Sequence, residues 1–406
     1  MLSNILCMMG GDSNMYGKKM KKKFFQGADF TNFNHGSFGG VARDVKDAQD
    51  KLFEEAEDHL DKWFRITIYK YIDLARKDVS SLINAKVEDV VLVENASSAV
   101  NSILRTYPWQ KGDKVLVLSC VYRMVTEVCK WFVETQGIEI VKVEIQFPIQ
   151  DKKQILEAVT AALEEHDNIK ICVFDHISSM PSIVLPVEDL TAVCRSSSRN
   201  SKTLVLIDGA HAPGNVDINV ERIGADYYTG NIHKWCFAPK GCAFLWTAKS
   251  RQSYADLRPT VICSKGHREY ADSYAYTGTR DYTAFASIPA AFAFCRSLGG
   301  HKAIYEYNHD LVLEGARYCA KLWDTQLIVP DEMIATMADV ILPTADGNKV
   351  KTMTDALQDK YNTYIVTRDW QLTDGRTVYI TRLSGQIYLE QSDFELMAAR
   401  VLELLQ

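Results

Sequence analysis

The chain has 406 residues, 47% hydrophobic and 24% charged, the proportions of an ordinary globular protein and too apolar for a disordered one. At about 150 residues per domain this length allows two or three domains with a sizeable core. Lys plus Arg number 46 against 52 Asp plus Glu, a net charge of −6, so there is no broad cationic footprint for a phosphate backbone and nucleic acid is not an expected partner.

Residues 1–28 begin mildly apolar and run into Lys18, Lys19, Lys21, Lys22 and Lys23. That is the reverse of secretory order, and the segment reads as a flexible, solvated tail. From 44 to 64, Val45, Ala48, Leu52, Ala56, Leu60 and Phe64 recur at three- and four-residue steps, one apolar face of a helix. Short β-branched runs follow at 90–93, 115–118, 138–143, 171–174, 204–207, 227–229 and 243–246, with helical patterns at 98–107, 124–135, 152–165 and 187–195 between them. Apolar strands alternating with helices indicate βαβ units around a mostly parallel sheet buried on both faces, an α/β core. From about 297 the pattern changes to a long helix through 323, strands such as 339–342 and 377–382, and a last helix carrying Phe394, Met397, Ala398, Val401, Leu402 and Leu405. The expected organisation is the tail (1–28), a large domain with an N-terminal arm (29–296) and a smaller C-terminal α+β domain (297–406) sharing a cleft.

No apolar stretch approaches the roughly 18 residues that span a bilayer, so no membrane partner is expected. Ten cysteines run from Cys7 to Cys319, none closer than Cys236 and Cys242. They lack the spacing of a metal site and read as reduced core thiols of a cytoplasmic protein.

Ligands of open α/β sheets sit beyond the carboxyl ends of the strands. There the chain places Asp175-His176-Ile177-Ser178-Ser179, Asp208-Gly209-Ala210-His211 and Gly230-Asn231-Ile232-His233-Lys234-Trp235. A lysine leaving an apolar strand among histidines and aromatics is poorly solvated, which favours its nucleophilic amine. Lys234 is that lysine, and Asp208, at the end of the preceding strand, supplies the carboxylate that a Schiff-base lysine of a pyridoxal phosphate site requires. Asp208 also suits a helix N-cap. Ser97 and Ser98 open a helix after the run at 90–93 and fit a phosphate cup, though Ser at a helix start is more often only a cap. Tyr122 offers an aromatic face past the run at 115–118, or is simply a packed tyrosine.

Phe33-Asn34-His35-Gly36-Ser37-Phe38-Gly39, Asn95-Ala96-Ser97-Ser98, the Asp208 and Lys234 segments, Thr277-Gly278-Thr279-Arg280-Asp281 and Thr381-Arg382-Leu383-Ser384 occur in this order. Together they resemble the class V aminotransferase-like, fold-type-I pyridoxal phosphate enzymes. The closest likeness is to the isopenicillin N epimerase-like branch, which includes hercynylcysteine sulfoxide lyases and cysteine desulfhydrase-like proteins. The resemblance spans about residues 30 to 405. It implies that Lys234 carries the Schiff base, Asp208 pairs with the pyridine nitrogen and Tyr122 stacks on the ring. It implies that His176 and His211 lie near the ring hydroxyl, while Ser97, Ser98, Asn231 and His233 hold the phosphate. It further implies a homodimer in which Thr279 reaches the partner's phosphate, with Arg382 clamping the substrate carboxylate and Asn34 and His35 lining the substrate side.

The resemblance leaves the reaction open, because fold and cofactor do not choose it. Desulfurases of this superfamily use a cysteine shortly before the Arg-x-Ser motif, whereas the last cysteine here, Cys319, lies 63 positions before Arg382. The expected function is therefore a carbon-sulfur lyase that eliminates sulfur from a small amino-acid substrate, a cysteine conjugate or cysteine sulfoxide, and releases pyruvate and ammonia. Epimerisation, racemisation and transamination are the alternatives. A catalytically silent relative is disfavoured by the joint presence of Lys234, Asp208 and Arg382.

Overall fold

The computed structural model describes residues 15–253, 255–263 and 269–406. Seven strands form the central sheet: β1 (Val90–Val93), β2 (Lys114–Leu118), β3 (Glu139–Val143), β4 (Ile169–Asp175), β5 (Leu204–Asp208), β6 (Tyr227–Asn231) and β7 (Ala243–Thr247). Their order is β1-β7-β6-β5-β4-β2-β3, and only β7 runs antiparallel to its neighbours. Every residue of β1, β5, β6 and β7 is buried, which is why these runs are largely apolar instead of alternating, with polar residues confined mostly to their carboxyl ends. At the edge, β3 exposes Glu139 and Lys142 and buries Val141 and Val143.

The helices that flank the sheet are α1 (Arg43–Asp58), α2 (Ile68–Leu82), α3 (Ala96–Thr106), α4 (Arg123–Gln136), α5 (Lys152–Glu165) and α6 (Val187–Ser196). They are followed by α7 (Ile288–Ser297), α8 (Gly300–Trp323), α9 (Gly347–Tyr361) and α10 (Gln391–Leu405). A second, antiparallel sheet orders β8 (Met337–Ile341), β9 (Val366–Gln371) and β10 (Thr377–Ser384) as β9-β10-β8.

Two expectations need correction. The helix expected over 44–64 stops at Asp58, because His59 leaves helical geometry (φ −150°). The chain then re-enters helix through a wide turn at Trp63–Thr67, with Trp63 2% exposed and Leu60 49% exposed. The large indole takes the core position that periodicity assigned to Leu60. The long helix expected from about 297 through 323 forms as α8, and Gly299 and Gly300, at φ of 89° and 87°, set it off from α7, conformations open to glycine at little cost. Finally, residues 15–28 are not a solvated tail. Lys18–Lys23 form a 3₁₀ turn, and Met20 and Phe24 are buried at four-residue spacing between lysines that face water. Phe24 packs against Phe237, Phe294 and Tyr388. Residues 1–14, 254 and 264–268 lie outside the described residues.

Two short parallel pairs, Thr31 with Thr363 and Asn32 with Tyr364, tie the segment before Asn34 to the C-terminal part of the chain. This linkage brings the N-terminal arm against β10 and Arg382. Among the described residues no helix is long and apolar enough to cross a membrane.

Candidate active site

The carboxyl ends of β4, β5 and β6 place Asp175, Asp208 and Thr229 side by side in register. β6 ends at Asn231 and turns at once into the short helix Ile232–Trp235, which carries Lys234 back over this edge. Lys234 Nζ lies 3.1 Å from His211 Nε2. Burial lowers the lysine pKa to about 8, helped by the positive field of Arg382 and opposed by Asp208 and Asp175. The amine is therefore partly unprotonated near neutrality. Burial raises Asp208, whose carboxylate accepts a hydrogen bond from the Ala210 amide at 3.0 Å.

Next to this group, Asn95 caps α3 by accepting from the Ser98 amide at 2.8 Å, and Asn231 accepts from the Ala96 amide at 2.9 Å. The strand end that leads to Lys234 is thus fastened to the first turn of α3, where Ser97 and Ser98 sit half-buried. His233 Nδ1 donates to the Cys242 carbonyl at 2.8 Å, and burial takes its pKa down to about 4.

Arg382 enters from β10 and is 2% exposed. It donates to the carbonyl of Ser179 at 2.7 Å, to Ser37 Oγ at 2.8 Å and to Asn34 Oδ1. These partners are neutral. Asp339, opposite Arg382 in register, instead accepts from the Ser182 amide at 2.5 Å. A buried guanidinium whose hydrogen bonds go to neutral acceptors, with Asp339 the carboxyl acting on it at longer range, can take an incoming carboxylate.

The remaining expected residues are placed differently. His35 is 1% exposed and lies behind the lysine, its Nε2 donating to the Lys234 carbonyl at 3.0 Å and its Nδ1 meeting Tyr388 Oη at 2.9 Å. His176 Nδ1 is 2.7 Å from Tyr228 Oη. Tyr122 leaves its ring 46% exposed while its amide supports Asp175. Thr279 is exposed, with its hydroxyl 2.7 Å from Tyr276 Oη, so it does not join the Lys234 cluster within one chain.

Sequence reasoning did not assign Asp175, Ser37, Ser179 or Trp235. Asp175 is buried beside Asp208, with Oδ2 unpartnered, and its carboxyl is pushed well above the usual range. Its position at a strand end was visible in the sequence, but its register with Asp208 was not. Ser37 and Ser179 act through Arg382 across more than 200 positions of sequence, a contact that no local pattern encodes.

A buried carboxylate, a lysine with a lowered pKa and a capped helix N-terminus make a donor set that fits pyridoxal phosphate: an acceptor for a pyridinium N–H, an amine for the aldehyde and helix amides for the phosphate. Residues 61–358 match the profile of the Aminotransferase class-V family, and the chain belongs to that family. It is 32% identical over 391 residues to a probable chloroplastic L-cysteine desulfhydrase of Arabidopsis thaliana, covering 90% of this chain and 81% of the relative. It is 27% identical over 395 residues to hercynylcysteine sulfoxide lyase of Schizosaccharomyces pombe, covering 95% and 97%. A lysine-to-alanine mutant of C-DES, with glycine covalently linked to the PLP cofactor, superposes with a TM-score of 0.79 at 18% identity over 94% of this chain and 98% of that one.

Proposed function

We propose that the protein is a pyridoxal phosphate-dependent carbon-sulfur lyase acting by β-elimination on a cysteine conjugate or cysteine sulfoxide. The observation that carries this reading is the Lys234 amine held 3.1 Å from His211 at the strand edge that also bears Asp208. The names of the similar proteins, a cysteine desulfhydrase and a sulfoxide lyase, favour sulfur elimination over the other reactions of the family.

Bound pyridoxal phosphate supplies an electron sink for the pair left at the substrate α-carbon when its proton is removed. Lys234 would hold the cofactor through its side-chain amine and, as the free amine, would take the substrate's α-proton. Asp208 keeps the pyridine nitrogen protonated, and Tyr122 covers the ring. The amides of α3 hold the phosphate with Ser97, Ser98, Asn231 and His233. His211 and His176 serve the ring hydroxyl. Arg382 binds the substrate carboxylate, held in place by Asn34, Ser37 and Ser179, while His35 fixes the backbone of Lys234. As the Cβ–S bond breaks, the sulfur group leaves with the bonding pair, and hydrolysis of the remainder gives pyruvate and ammonia.

Persulfide chemistry of the desulfurase kind is disfavoured by the inward position of Cys319, which is 0% exposed. The working unit is proposed to be a cytoplasmic homodimer, with Thr279 serving the partner's phosphate. The deciding experiment measures pyruvate from cysteine, its sulfoxides and its thioether conjugates without a keto acid. Pyruvate release supports the lyase, whereas an inverted amino acid or activity only with a keto acid would replace it with the epimerase or the aminotransferase.

A further inference from the structure

We infer that Trp235 fixes the tautomer of His211 and thereby favours the free amine of Lys234 before any cofactor arrives. An indole N–H can only donate. Trp235 Nε1 is 3.4 Å from His211 Nδ1 in a buried contact, so Nδ1 accepts and the ring proton resides on Nε2. Burial holds His211 well below the ordinary histidine pKa, with Lys234, Arg382 and His233 adding repulsion, so the imidazole is neutral. Its Nε2–H then points at Lys234 Nζ, 3.1 Å away. An ammonium has no lone pair to receive it. The hydrogen bond therefore requires the unprotonated amine.

The relay is rigidly seated. Trp235 is 2% exposed, and its ring lies 5.0 Å from that of His35. Gly36 closes the arm over the indole, since a Cβ there would meet Trp235 Cζ2 at 3.2 Å and Met337 Sδ at 2.4 Å. Asn215 Nδ2 donates to the His211 carbonyl at 2.7 Å. The charged groups acting on Lys234 are Arg382 from β10, which favours the free amine, and Asp208 and Asp175 from β5 and β4, which oppose it. The Trp235–His211 pair works with Arg382 by withholding an acceptor from the ammonium. Trp235 is thus a positioning residue, acting on the nucleophile through the histidine.

The consequence for catalysis rests on Lys234 being the Schiff-base residue, but the tautomer itself does not. The test uses cofactor-free protein labelled with [¹⁵N]histidine, with the His211 signals assigned by their loss in His211→Gln. The expected spectrum has the proton on Nε2. In Trp235→Phe, Nδ1 loses its donor, both tautomers become populated, and Lys234 can donate to Nε2 as an ammonium. Each unit by which the lysine pKa then rises cuts the free amine about tenfold below that pKa. The rate of imine formation with pyridoxal phosphate at pH 7 should fall several-fold and recover at higher pH. A native His211 protonated on Nδ1 overturns the inference, as does a folded Trp235→Phe protein with an unchanged His211 signal and imine rate. If Trp235→Phe fails to fold, the native spectrum decides alone. An Nε2–H His211 together with borohydride fixation on another lysine would leave the relay standing and sink the functional reading.

Discussion

In the proposed function, substrate capture turns on Arg382, which is buried and hydrogen-bonded to neutral partners on the arm and on the segment after β4. Arg382→Ala should lower kcat/KM by roughly two to three and a half decades, the equivalent of the about 3–5 kcal/mol lost when one side of a buried ion pair is removed. Arg382→Lys should recover little, since an ammonium cannot reproduce a planar two-pronged contact. Kinetics paired with a thermal melt check this: a collapsed kcat/KM with cofactor retained supports the clamp, and a joint loss of fold and cofactor makes Arg382 structural. Lys234 gives a prediction in pH. Its pKa is lowered from the ordinary lysine value to about 8, so the free-amine fraction of the cofactor-free protein is about one half at pH 8 and levels off only above about pH 9. The rate of imine formation with pyridoxal phosphate should follow that curve, and a rate still climbing past pH 10 would mark an ordinary lysine. The positions of Asp208 and Lys234 were legible in the sequence because Asp208 follows the run at 204–207 directly and Lys234 lies in the segment just past the run at 227–229. Asp175, Ser37 and Ser179 were not, because their relevance comes from register and from a contact closed by the fold.

The arm Phe33–Gly39 shows how an element can serve the site without facing it. Gly39 has φ 68° and ψ 174°, a region open almost only to glycine, and a Cβ there would lie 2.0 Å from the His233 carbonyl oxygen and 2.7 Å from Lys234 Cα. Gly39→Ala should cost about 1–3 kcal/mol of stability in backbone strain. It should also weaken cofactor retention by pushing the arm off the Lys234 turn. Chemical denaturation and the cofactor-to-protein ratio after dialysis measure the two effects, and an unchanged ratio would separate the arm from the site. At this scale the inner strands were readable because a strand buried on both faces is largely apolar. The strand β9 was harder to read: it lies at the sheet edge, leaves Arg368 and Asp369 exposed, and has no alternation to mark it. The break after α1 was hidden because Leu60 keeps helical spacing, and only the packing of Trp63 reveals that the face has rotated.

Over the whole molecule, Phe38, Phe53, Leu60, Ile66 and Leu74 are 72%, 52%, 49%, 55% and 48% exposed in the single chain. These side chains lie on the arm and the segments through α1 and α2, and the proposed homodimer would cover them if they belong to its interface. Light scattering at assay concentration should give twice the chain mass, and Thr279→Ala should weaken cofactor binding in the assembled protein. A fully active monomer would contradict the dimer and the role of Thr279 together. The α/β class and the site edge were legible from alternating strands and helices, whereas the docking of residues 15–28 was masked by lysines that outnumber the two buried side chains anchoring it. The central claim is that Lys234 forms the Schiff base with pyridoxal phosphate, and it is tested most directly by reducing the loaded protein with borohydride and mapping the modified peptide. The account predicts a single reduced adduct on Lys234 and its loss in Lys234→Ala; an adduct on any other lysine, or none, would contradict it.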